Sequence, residues 1–183
     1  MAIKSRATVE DLYHVSENSK AELVNGELIQ MSPTGRLPGS AAAEVFVSLR
    51  AYARRIGRGY AVPDNVDFLV NLPHRSSFSP DAAYYIGPDP GMRFLNGAPI
   101  FAVEVRSEND YGSQAEADIA ARRADYFAAG TQVVWDVDLQ SEEVVRVFRA
   151  TDPMNPTIYG RGQIAEAQPA LPDWTMPIDD LFV

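Results

Sequence analysis

The chain alternates between two hydrophobic periods, and the switches between them mark its elements. Leu23 and Val24 precede Asn25-Gly26, and Leu28 and Ile29 follow it. Asn-Gly suits a two-residue turn, so this stretch predicts a β-hairpin. From residue 38 to 56 the period lengthens. Val45, Leu49, Tyr52 and Ile56 recur every three or four positions, as one face of a helix does, with Gly57 and Gly59 ending it. "GYAVPDNVDFLVNL" returns to a period of two as one or two strands, in which Val66, Phe68 and Val70 alternate with Asp67 and Leu69. "FSPDAAYYI" predicts a further strand, with Pro80 at an edge or at its start. "GPDPGMRFLNG" is a loop and "APIFAVEVR" the next strand.

A second long helix is expected over 113–129, opened by Ser113 with Glu116 as a capping box and closed by Gly130. "TQVVWDVD" and "EEVVRVFRA" are strands joined by a short turn, and the tail reads mostly as turns with a short strand. At the start, "TVEDLYHVSE" predicts a short helix capped by Thr8, with Asp11 three residues on. Strands on both sides of two good helices give an α/β (α+β) fold. The helix between "FAVEVR" and "QVVWDVD" has the length of a crossover joining neighbouring parallel strands. Residues 1–183 show no repeat or linker and are expected to form a single domain: a lead-in over 1–20, a core over 21–150 and an extension over 151–183 packed on it.

Charges inside one of these strands raise the question of chemistry. Alternation puts Ile100, Ala102, Glu104 and Arg106 on one face, and Phe101, Val103 and Val105 on the other. A carboxylate is costly to bury alone and tolerated when paired or metal-bound. Glu104 and Arg106 therefore read either as structural ion pairs at a strand end or as part of a site. Asp81, at the start of "DAAYYI", supplies a second strand-borne acid. Two such carboxylates suit a hard divalent cation, with phosphate filling its open positions and a nearby cation stabilising developing charge. On the second helix, Ala115, Ile119, Arg122 and Tyr126 form an inward stripe. Arg122 either enters a site from there or snorkels to the surface, while Arg123 beside it is expected to face solvent. A row of Arg50, Arg54 and Arg58 follows the first helix and reads either as a phosphate-contacting face or as a solvated one.

Composition narrows the partners. Apolar residues make up 46% and charged residues 22% of the 183, which is ordinary for a soluble globular chain. There is no cysteine, so thiolate metal sites and disulfides are excluded. No apolar run is long enough to span a membrane and the first residues lack a signal-peptide pattern, so a cytoplasmic protein is the expectation. A net charge of −9 argues against holding nucleic acid by bulk electrostatics, though it allows a local basic patch around an acidic site. "SPTGRLPGS" lacks the GK[ST] of a phosphate loop, which leaves little support for a nucleotide-binding enzyme.

Taken in order, "ELVNGELIQMSPTG", "SPDAAYY", "PIFAVEVRSEND" and "RRADYFAAGTQVVWDVD" resemble the Uma-type restriction endonuclease family of the PD-(D/E)XK nuclease superfamily. The resemblance spans roughly residues 22 to 138. It implies a restriction-endonuclease-like core, a mixed sheet flanked by helices, and Mg²⁺- (or Mn²⁺-) dependent hydrolysis of DNA phosphodiester bonds. It assigns Asp81 and Glu104 as metal ligands with the Val105 carbonyl as a third, and Glu22 as an acid lining the same site. Two features depart from the family pattern. The motif lysine is replaced by Arg106, and the helix position that carries it in other members holds Arg122. Pro38 stands where many members have His. Arginine keeps the charge but is a poor general base. The expected activity is thus a metal-dependent endonuclease, the alternative a catalytically weak or inactive nuclease-fold protein with a regulatory or binding role. A homodimer is the expected assembly, since enzymes that cut both strands often pair about a two-fold axis.

Overall fold

The computed structural model describes residues 6–15 and 19–183. A short helix α1 (Val9–Tyr13) carries the expected capping box: the Thr8 hydroxyl accepts from Asp11 N–H, and the Asp11 carboxylate accepts from Thr8 N–H. The part of that reading over 16–17, and the first five residues of the lead-in, lie outside the described residues. The hairpin of β1 (Lys20–Val24) and β2 (Glu27–Met31) follows. Asn25 and Gly26 both have positive φ, 53° and 75°, the geometry that a tight two-residue hairpin turn demands.

Helix α2 (Arg36–Ile56) starts two residues earlier than its periodic stripe implies. Pro38 sits in its first turn, where a missing N–H leaves no helical bond unmade. Val45, Leu49 and Tyr52 are buried as expected, whereas Ile56, at the helix end, is exposed. The next stretch resolves into β3 (Tyr60–Pro63) and β4 (Phe68–Leu69). "FSPDAAYYI" splits into β5 (Ser77–Phe78) and β6 (Ala82–Tyr85), and β7 (Leu95–Asn96) lies inside the predicted loop. Then come β8 (Phe101–Val105), α3 (Ser113–Ala129), β9 (Val133–Val137) and β10 (Val145–Arg149).

Two expectations fail here. Ser113 does not cap α3. Ser113 is already the first helical residue, the cap is Gly112, which has no side chain to donate or accept, and the Glu116 carboxylate is taken by Arg106. The tail is strand-rich rather than mostly turns: β11 (Asp152–Tyr159), β12 (Ile164–Ala167) and β13 (Leu171–Pro177) precede a closing 3₁₀ turn (Ile178–Phe182). The first of these strands is an almost wholly exposed edge with Pro153 and Pro156 in it, so it carries no buried alternation to read.

The main sheet has the order β11-β10-β9-β8-β6-β3. Only β8 and β9 are parallel, joined by α3 as a crossover; every other neighbouring pair is antiparallel. Residues alternate between the two faces as the sequence predicts. Phe101, Val103, Val105, Val133, Trp135 and Val137 pack with α2, while Ala102, Val134, Ala83 and Tyr85 pack with Tyr126 of α3.

The closing segment completes the first of these cores. Trp174 rests against Phe101 and Trp135, with ring centroids 5.5 and 5.1 Å away, and its indole N–H donates to the Ser48 hydroxyl on α2. Replacing Trp174, which is buried, by Ala leaves a cavity between sheet and helix. It is expected to lower unfolding stability by about 3–5 kcal/mol in urea denaturation.

Candidate active site

β8 and β6 run antiparallel with Ala82 opposite Val103, so one step further Asp81 comes opposite Glu104. The register alone thus joins the two acids that the sequence singles out. Asp81 is fixed through both oxygens. Its Oδ2 accepts from Val105 N–H at 2.8 Å, and its Oδ1 pairs with Lys20 Nζ at 2.8 Å. Glu104 Oε1 accepts from Tyr126 at 2.6 Å and from Arg122 Nε at 3.0 Å.

Arg122 turns inward rather than snorkelling out. Besides Glu104 it reaches Glu22, with Nη2 to Oε1 at 2.7 Å and Nη1 to Oε2 at 3.1 Å. Glu22 is itself only 2% exposed. It also accepts from Arg75 Nη1 at 2.5 Å and from Ser79 N–H at 2.7 Å. Arg75 continues to Asp125, which His74 also contacts. The hairpin, the β5–β6 segment, β8 and α3 are therefore tied together through three acids and two guanidiniums.

Arg106 shares the face of Glu104 but not its partners. Its guanidinium forks onto Asp136 of β9, with Nε and Nη2 each 2.8 Å from an oxygen, and also donates to Glu116. These carboxylates hold its pKa far above the ordinary guanidinium value against the cost of burial. The ion-pair reading of the strand end describes this contact, and among the described pairings none joins Arg106 to Asp81 or Glu104. Arg123, expected in solvent, is half-buried with its guanidinium 3.6 Å from the Phe148 ring centroid. Arg50, Arg54 and Arg58 are exposed, and Arg58 stands where its carbonyl accepts from Tyr84, toward the far end of β6 from Asp81.

Lysine does reach the cluster, from a position outside the quoted motifs. Lys20 opens β1, two residues before Glu22 and thus on the same strand face. Its ammonium lies 2.6 Å from Asp64 and 2.8 Å from Asp81. Burial works against its charge, but Asp81, Glu104 and Asp64 outweigh it and keep its pKa above the ordinary value. Asp67 joins the field as well. Burial pushes it up to about 7, with Glu22 adding to the rise. Glu104 is likewise pushed up to about 7, by burial first and by Asp81, against the pull of Arg122 and Lys20. The signal for Lys20 was its two-residue spacing from Glu22. Asp64 and Asp67 carried no signal, because a turn brings them in.

Five acids (Glu22, Asp64, Asp67, Asp81 and Glu104) thus face three cations (Lys20, Arg75 and Arg122). A cleft of about 180 Å³ opens beside them, lined by Pro38, Ala42, Phe46, Pro63, Asp64 and Asp81, with Val105 at its edge. Among the described residues no three carboxylate or imidazole side chains converge into a cage. The donor set nevertheless fits a hard divalent cation of the Mg²⁺ type. It offers two facing carboxylates, an excess of negative charge and an open cleft, and such an ion needs only one or two protein carboxylates.

A family model described as "Putative restriction endonuclease" (Uma2) matches residues 7–179. The chain belongs to the Uma2 family. The fold agrees: a crystal structure described as a putative nuclease belonging to DUF820, from Anabaena variabilis, superposes with a TM-score of 0.73. It is 18% identical, and the match covers 96% of this chain and 97% of that one. Among curated proteins, none matches the sequence. The Uma2 chain is thus restriction-endonuclease-like in family and in fold. No described helix is long and apolar enough to cross a membrane.

Two predictions follow from the electrostatics. Replacing Arg106 by Met leaves Asp136, 3% exposed, short of its main partner and is expected to cost about 3–5 kcal/mol in chemical denaturation. Adding Asp136→Leu to that variant is expected to recover much of the loss. Asp67 gives a pH signature. Its folded-state pKa lies above the ordinary carboxylate value of 3.8, so between there and about 7 the folded protein holds a proton that the unfolded chain has released. Stability therefore falls as pH rises through that window and stays lower above it. Asp67→Asn lacks this loss. Thermal denaturation across pH is expected to find it level with the parent near pH 4 and more stable above pH 7, by roughly 2–4 kcal/mol.

Proposed function

We propose that this Uma2 protein is a metal-dependent endonuclease that hydrolyses DNA phosphodiester bonds. The observation that carries the reading is the facing pair Asp81 and Glu104, set in register by β6 and β8 within a field where acids outnumber cations. Asp81, Glu104 and the Val105 carbonyl would hold Mg²⁺ or Mn²⁺. When bound there, such an ion supplies an activated water and neutralises phosphate charge.

The chain's own residues supply orientation and electrostatics. Val105 N–H fixes one Asp81 oxygen and leaves the other to face cations. Tyr126 and Arg122 fix Glu104 Oε1. Arg122 carries a permanent positive charge, since Glu104 and Glu22 hold its pKa well above the ordinary value despite burial. It can stabilise negative charge on a transferring phosphoryl group but cannot release a proton to it. Glu22, saturated by Arg75, Arg122 and Ser79 N–H, positions Arg122 rather than offering a free oxygen. Arg106 supports β8 from below through Asp136.

The alternative, a nuclease-fold protein with weak or no catalysis and a regulatory role, draws on one observation. The cations at the site are already engaged with its acids, so an ion has to compete for the carboxylates. Plasmid nicking with Mn²⁺ separates the two readings. The parent is expected to nick DNA, and Asp81→Ala with Glu104→Ala to reduce the rate at least about a hundredfold, as loss of metal ligands does. Equal nicking by both proteins would falsify the assignment of the site.

A further inference from the structure

The sequence contains two lysines, Lys4 and Lys20, against fourteen arginines, and among the described residues the Lys20 ammonium meets the Asp81 carboxylate. Its position is built rather than incidental. The β1–β2 hairpin is anchored through Glu22 to Arg75 and Arg122, and Leu23 N–H donates to the Ser77 hydroxyl at 2.9 Å. That anchoring delivers the residue two places before Glu22 to the Asp81 edge of the site. The Lys20 side chain is only 16% exposed, and its two partners differ in kind. Asp81 belongs to the facing acid pair, whereas Asp64 lies on the turn after β3 and is about half exposed.

We infer that Lys20 is a resident counter-cation of Asp81, which a divalent metal must displace and which Asp64 retains at the cleft when it is displaced. The inference rests on the reading of Asp81 as a metal ligand. In the structure Asp81 Oδ2 is committed to Val105 N–H, so Oδ1 is the oxygen that meets outside cations, and Lys20 stands on it. An ammonium 2.8 Å from that oxygen and a metal bound to it exclude each other by charge and by space. Asp64, 2.6 Å from the same nitrogen, offers the lysine a partner that needs no movement of β1. Both resting oxygens of Asp81 are thereby satisfied without a metal, which lets two facing carboxylates coexist before one arrives. Lysine suits this task better than arginine: its single flexible ammonium can pivot between two acids, while a guanidinium fork is held by its geometry.

The test uses the full chain with Mg²⁺ or Mn²⁺ alone and needs no nuclease activity. With lysine labelled at Cε and Nζ, the chain gives two side-chain signals, and the one absent from Lys20→Gln belongs to Lys20. Titration with Mg²⁺ is expected to move that signal saturably, with the midpoint that calorimetry gives for metal binding. Lys20→Gln is expected to bind Mn²⁺ about tenfold more tightly than the parent, and Asp64→Asn more weakly. The inference is overturned while the metal reading stands if Mg²⁺ binds, Asp81→Asn abolishes binding, and the Lys20 signal does not move. If the parent, Lys20→Gln and Asp81→Asn all bind Mn²⁺ equally or not at all, the metal reading itself fails and this inference with it. Binding by Lys20→Gln where the parent shows none supports displacement in its strongest form.

Discussion

An arginine largely withdrawn from water cannot stand alone, and Arg122, its side chain 16% exposed, sits between one acid of the hairpin and one of β8. Its guanidinium spans Glu22 on the hairpin and Glu104 on the central strand. Charged hydrogen bonds of this kind are strong when complete and costly when one partner is missing. The chain therefore gains from folding only when the hairpin, β8 and α3 have all arrived. Arg75 repeats the logic one layer out, joining Glu22 to Asp125 of α3. The elements that surround the site are positioned by charge, whereas the opposite face of the sheet is held by Phe101, Trp135, Trp174 and the α2 stripe. The face shared with α3 sets acids and guanidiniums beside an apolar cluster of its own, which is why β8 mixes Phe and Val with Glu.

How much of this could be read in the sequence depended on whether the cause was local. The alternation of "IFAVEVR" is local, and it placed Glu104 and Arg106 on the same face. Helical spacing put Arg122 on the inward stripe without deciding between site and surface, and the hairpin followed from Asn-Gly. The partner of each charge was not local. Arg106 and Glu104 face the same way, but β9 brings Asp136 beside one and the register of β6 brings Asp81 beside the other. Spacing cannot tell these apart. The capping box at Ser113 failed because the helix begins one residue earlier than the box needs, with Gly112 as its cap, and Glu116 pairs with Arg106 instead. Asp64 and Asp67 escaped notice because they lie beside a turn, where side-chain direction follows from tertiary placement; Lys20 shares the strand face of Glu22, but its acid partners come from elsewhere in the fold.

Arginine at positions 106 and 122 has a physical sense in this arrangement. A position that must bridge two acids favours a planar fork with five donors, and Arg122 uses that fork on Glu22 and Glu104. Arg106 does the same on Asp136 and Glu116. Such a residue holds structure firmly and gives up any part in proton transfer. A lysine is better placed where a charge has to move or pivot, and Lys20 stands at the edge of the acid pair, on a hairpin anchored by Arg75 and Arg122. The separation assigns fixed charges to architecture and the adaptable charge to the carboxylate that faces the cleft. On that view arginine at 106 and 122 does not by itself mark a dead site, because the function of a charge is set by where its atoms lie rather than by the residue's place in the sequence.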